Sequence, residues 1–148
     1  MAIIPTNSEL LDLIYSDRTD ALVSSCNSLS DNGSVDALNA MLLAFRDDDD
    51  YFDEMSVLLH SIERAPVSNV YIAIRNCILE LNDTAPSWCK RIVKRNLLAD
   101  EGPLTRFDTS DFVKALEENE VAFKLVRQIA RELFSTDQIS GNVMQHLN

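Results

Sequence analysis

Apolar residues recur at intervals of three and four along most of the chain, the spacing that lines one face of a helix. Leu10, Leu11, Leu13 and Ile14 form the first stripe, behind a Thr6-Asn7-Ser8-Glu9 capping box with Pro5 just outside it. Ser16 and Asp17 end it. Ala21, Leu22, Val23, Cys26 and Leu29 make a second stripe over 18–29, and Asp31-Asn32-Gly33 signals a turn. Ser34 caps a third helix with Val35, Leu38, Met41, Leu42 and Phe45 turned inward. Four aspartates follow. Phe52, Met55, Leu58, Leu59 and Ile62 then predict a helix over 51–65, closed at Ala65-Pro66 because the residue before a proline avoids helical backbone.

Ser68 or Asn69 opens the next helix, with Val70, Ile74, Cys77, Ile78 and Leu81 on one side and a break at Asn82-Asp83-Thr84. Pro86 suits a first helical turn, ahead of Trp88, Ile92, Val93 and Leu97. Asp100-Glu101-Gly102-Pro103 reads as a loop. Asp108 or Thr109 starts a short helix with Phe112, Val113 and Leu116. A polar stretch, Glu117 to Glu120, separates it from a helix over 121–134 with Val121, Leu125, Val126, Ile129 and Leu133. The tail 136–148 is expected to fray in part, with room for a last turn at Val143 to Leu147. The one strand-like run is Val70 to Ile74. Three glycines and four prolines leave few breaks for a β-sandwich. The pattern predicts an all-α fold. It is one domain over 1–135, of about eight amphipathic helices in an irregular HEAT-like antiparallel array.

Charge changes the picture more than composition does. A chain of 148 residues with 46% hydrophobic content can build a real core. The net charge is −11, and it is lopsided. Residues 1–66 hold three basic residues against thirteen acidic ones, a net of −10; residues 67–148 hold ten against eleven. Such a field disfavours a phosphate backbone and favours a basic protein surface. Cys26, Cys77 and Cys89 form no CxxC and cannot all pair, as expected of buried thiols in a reducing compartment. MAIIPTNSE lacks a basic n-region, and no stretch approaches the roughly 20 apolar residues of a membrane helix. A cytoplasmic protein with no membrane partner is expected.

The candidate chemistry sits in residues 47–63, DDDDYFDEMSVLLHSIE. Asp47, Asp48, Asp49, Asp50, Asp53 and Glu54 precede an apolar helix, where carboxylates suit the positive end of the helix dipole. A solvated charge run is the plain alternative. The neighbouring aromatics Phe45, Tyr51 and Phe52 favour an interface, since aromatics beside charges make binding hot spots. No glycine turn or spaced ligands mark the aspartates as a calcium loop. His60 and Glu63 share a helix face, but no second histidine is near, so a structural hydrogen bond is expected rather than a metal. No Gly-rich phosphate loop, GxSxG or HExxH is present. The expectation is no enzyme, no cofactor and no metal. Lys90, Arg91, Lys94 and Arg95 form the one basic cluster; it reads as a solvated face able to pair with acids of preceding helices, not as a nucleic-acid site. Trp88 reads as core.

DDDDYFDEMSVLLHSIE, the helix after it and APSWCKRIVKRNLLAD together resemble the immunity-30-like group of bacterial immunity proteins, which accompany toxins of contact-dependent growth inhibition and related polymorphic systems. The residues that carry the likeness are Asp53, Glu54, His60, Glu63, Pro86, Trp88, Arg95 and Asn96, within roughly residues 47–135. The resemblance implies a cytoplasmic inhibitor that neutralises one cognate toxin C-terminal domain, with a basic nuclease as the expected target. Asp47, Asp48, Asp49, Asp50, Tyr51, Asp53 and Glu54 are then the expected toxin-binding residues. The alternative is a HEAT-like helical adaptor in a larger assembly.

Overall fold

Side-chain caps set where most of the helices begin. The computed structural model describes residues 4–102 and 106–148. Among them the order is α1 (Asn7–Tyr15), α2 (Thr19–Asn32), α3 (Val35–Leu42), a 3-10 turn (Asp49–Tyr51), α4 (Phe52–Glu63), α5 (Val67–Thr84), α6 (Pro86–Leu97), α7 (Thr109–Glu117), α8 (Glu120–Ser135) and α9 (Gly141–Gln145). No strand occurs among the described residues; Val70 to Ile74 lie inside α5. Thr6 accepts from the Glu9 N–H at 3.1 Å and Ser34 from that of Ala37 at 3.1 Å. Asp108 and Asn119 do the same for α7 and α8, through Asp111 and Ala122 at 2.9 and 3.2 Å. Each such cap satisfies an N–H that the helix itself cannot.

Three boundaries differ from the sequence expectation. The α2 helix runs through Asp31 and Asn32 and stops at Gly33, whose φ of 63° is left-handed. A Cβ there would also lie 2.7 Å from Pro66 Cδ, so glycine answers both a turn and a close approach. The α5 helix begins at Val67 and continues through Asn82-Asp83-Thr84. The Thr84 hydroxyl bonds back to the Glu80 carbonyl, and Pro86 delays the break until Ala85, which is extended at φ −148° and ψ 67°. The expected helix 51–65 starts one residue later, behind the 3-10 turn, and is closed at Glu63.

The buried side chains form one continuous core. Consecutive helices pack on each other. Alternate ones also stack: α1 on α3, α3 on α5 and α5 on α7, with α2 on α4 and α6 on α8. The long α5 is central, touching α3, α4, α6, α7 and α8, and buries Val70, Tyr71, Ile74, Cys77, Ile78 and Leu81. Phe45 and Phe112 are the largest side chains fully removed from solvent. Val121, placed inward by its spacing, is exposed. Beyond Ser135, where fraying was expected, α9 packs on α8, and Ile139, Val143 and Leu147 are buried. The loop expected at Asp100 to Pro103 is a turn as far as Gly102; Pro103 lies outside the described residues, as do the first three residues of the MAIIPTNSE stretch.

Candidate partner-binding face

The segment from α3 to α4 is held from several sides. The Arg46 guanidinium bonds the Leu43 and Phe45 carbonyls at 3.0 and 2.6 Å, and the Arg46 N–H meets the Met55 sulfur at 3.3 Å. Asp47 then reaches away from its own helix. Its Oδ2 accepts from the Ser87 N–H at 2.7 Å and its Oδ1 from the Trp88 N–H at 3.2 Å. The residue at the capping position of α6 is Ala85, which has no side-chain oxygen, so Asp47 caps α6 from forty residues earlier. Asp48 opens the 3-10 turn by accepting from the Asp50 N–H at 3.1 Å.

The other acids face outward. Asp49, Asp50 and Asp53 are exposed and Glu54 is half-buried. Tyr51 is half-buried, edge-on to Tyr15 with ring centres 4.8 Å apart, and Tyr15 is 44% exposed. Desolvation raises the Tyr51 pKa, and the charges of Asp17, Asp48 and Asp50 raise it further. Asp17 sits at the turn between α1 and α2 with a left-handed φ of 57°. Around Tyr51 the structure gathers Asp48 and Asp50 from its own segment and Tyr15 and Asp17 from the end of α1 and the turn after it; Asp49, Asp53 and Glu54 adjoin them along the chain. Tyr15 stands four residues after Leu11, at the edge of the apolar stripe of α1, so the spacing gives no sign of its exposure.

An aromatic ridge borders this face. Phe52, whose spacing placed it in the core, is 43% exposed; its ring centre is 5.4 Å from that of Trp88, which lies 5.2 Å from Phe45. Trp88 is buried, as expected. The Arg91 guanidinium lies 4.6 Å above the Trp88 ring and 5.1 Å above Phe52, within reach of cation–π attraction.

Below the ridge, Glu63 receives two bonds from Arg95, at 2.7 and 2.8 Å. That fork ties α4 to α6, and the bond Arg95 donates to the Glu63 carboxylate raises the Arg95 pKa. His60 Nδ1 stands 3.9 Å from the same carboxylate, on an exposed side chain. Lys90 pairs with Glu132 at 3.3 Å. The basic cluster is therefore half neutralised by carboxylates: Glu63 lies on a preceding helix, as the sequence suggested, whereas Glu132 comes from the later α8. Among the described residues no group of three His, Cys, Asp or Glu is placed to hold a metal ion, and no helix is long and apolar enough to cross a membrane.

Fold and surface define an all-α, strongly acidic protein with exposed aromatics set among carboxylates. The family model described as immunity protein 30 matches residues 12–103, more than half of the chain, and the chain belongs to that family. Nothing matches it among curated proteins or among solved structures. The matched stretch starts earlier and ends earlier than the resemblance drawn from sequence. It takes in the acidic segment, Tyr15, Asp17 and α6, and leaves α7 to α9 outside.

Proposed function

We propose that this immunity protein neutralises a basic toxin domain, a nuclease by preference, by covering its active site or the approach of its substrate in the cytoplasm. The binding face is Asp48, Asp49, Asp50, Tyr51, Asp53 and Glu54, joined by Tyr15 and Asp17. Asp47, also expected to bind, acts mainly through α6 by fixing the segment that presents its neighbours.

The observation that carries this reading is the setting of two tyrosines, one of them 44% exposed, among carboxylates in a half-chain with a net charge of −10. Tyrosine supplies a large contact area at small entropic cost, and the carboxylates steer a cationic partner into it. An inhibitor that captures a toxin needs no turnover chemistry, and the reading assigns none. The test replaces Asp48, Asp49 and Asp50 together with lysine and measures binding to the cognate toxin domain. The expected result is association slowed by more than tenfold with little loss of fold, about the range by which steering raises encounter rates. Unchanged association would refute the assignment.

A further inference from the structure

The outer side of α6 carries a feature that the acidic face leaves unused. A groove of about 610 Å³ is lined by Lys90, Arg91, Lys94 and Arg95, with Glu101 and Gln138 on its walls. That volume lies in the range of about 300–1,000 Å³ typical of concave binding sites. Arg95 and Lys90 are neutralised by Glu63 and Glu132. Arg91 and Lys94 have no carboxylate partner among the described residues, and Lys94 meets only the Gln138 side-chain oxygen, at 3.3 Å.

Arg91 is also pre-placed. Its guanidinium lies over both Trp88 and Phe52, so little side-chain freedom remains to be lost when its donors are used. The same two rings border the acidic face, because Phe52 directly follows Tyr51. The groove and that face thus adjoin across the exposed Phe52 ring, over which Arg91 lies.

We propose that this groove receives an acidic segment of the protein partner, with Arg91 and Lys94 binding its carboxylates. The occupant is an extended Glu/Asp-x-Glu/Asp stretch. Residues three apart on a helix place their Cβ atoms about 5–6 Å apart, and carboxylates two residues apart on an extended chain lie about 6.6 Å apart on one side. A nucleic acid fits less well: with Lys90 and Arg95 already paired, only two cations of the cluster remain free among the described residues, enough for two carboxylates but few for a phosphate backbone, whose binding grows with the number of phosphates neutralised. The partner surface would then be mixed in charge, basic opposite Asp48 to Asp50 and acidic opposite α6. This rests on the proposed toxin contact, but its test needs no toxin and leaves the lysine-substitution test standing.

Trp88 is the only tryptophan, and its ring lies under the guanidinium in question, so its emission reports on Arg91. The full-length protein is titrated at low salt with a hexaglutamate peptide, and in parallel with a short single-stranded DNA oligonucleotide. Trp88 fluorescence and the anisotropy of labelled ligand are read together. The proposal expects saturable peptide binding that shifts Trp88 emission, weakens with added salt, and falls about tenfold or more, roughly 1.4 kcal/mol, in the doubly substituted R91Q/K94Q protein. Arg91 is exposed and Lys94 half-buried, neither belonging to the core, and circular dichroism confirms that the variant is folded. Three results would overturn it: no peptide binding by either readout, binding undiminished in R91Q/K94Q, or tighter binding of the oligonucleotide than of the peptide.

Discussion

Asp47 differs from its three neighbours although all four carry the same side chain. Its two oxygens take the first free N–H groups of α6, while Asp49 and Asp50 point at solvent. Replacing Asp47 with alanine should therefore cost about 1 kcal/mol, as for other lost caps, and lower the melting temperature by about 2–4 °C. Asp49→Ala, measured by the same thermal melt, should leave stability unchanged within about 0.5 kcal/mol. The thiols give a second residue-level expectation. Burial pushes Cys26 up to about 11 and Cys77 and Cys89 up to about 12, from 9.0. Above pH 9 the unfolded chain releases protons that the folded chain keeps. Their contribution to stability is full below pH 9 and is lost as pH rises from 9 toward 12. A thiol reagent at pH 8 should label the folded protein slowly and the denatured protein at all three positions.

At the scale of elements, α4 and α6 are joined chiefly through side chains. Glu63 and Arg95 form a forked pair with side-chain exposures of 11% and 29%, between the buried and surface extremes. Glu63→Ala should thus cost about 2 kcal/mol, read from urea unfolding; a loss below about 0.5 kcal/mol would make the pair ornamental. Gly33→Ala should cost at least about 1 kcal/mol, from the left-handed φ and the contact with Pro66. What the sequence disclosed follows the same division. Thr6, Ser34 and Asp108 were legible because a cap and the N–H it serves lie within a few residues, and Pro86 because a first-turn proline is a local signal; Asn119 was read only as part of a polar stretch, and its cap on Ala122 emerges from the structure. The α6 cap was not legible, because Asp47 and Ser87 are forty positions apart and nothing local announces their meeting. Phe52 was misplaced for a related reason: its spacing fits the stripe, but it is the first residue of α4, and its ring packs on one side against Trp88 and stays half outside. Tyr15 and Asp17 joined the face only through the packing of α1 against α2 and α3.

For the whole molecule, the helical class and the charge asymmetry were both readable from residue order, since periodicity and charge counts need no tertiary knowledge. Which acids share one face with which aromatics needed the packing. The proposed function depends on that face acting as a field as well as a contact. Carboxylates at the surface lose their reach once salt shortens the screening length to about 8 Å, the physiological value. The most direct test is the association rate with the cognate toxin domain of the proposed function, measured by stopped flow across a range of ionic strength. The account predicts a rate near ~10⁸ M⁻¹s⁻¹ at low salt that falls steeply toward ~10⁶ M⁻¹s⁻¹ as salt is added, while the dissociation rate changes far less. An association rate that stays flat across the same range would contradict it.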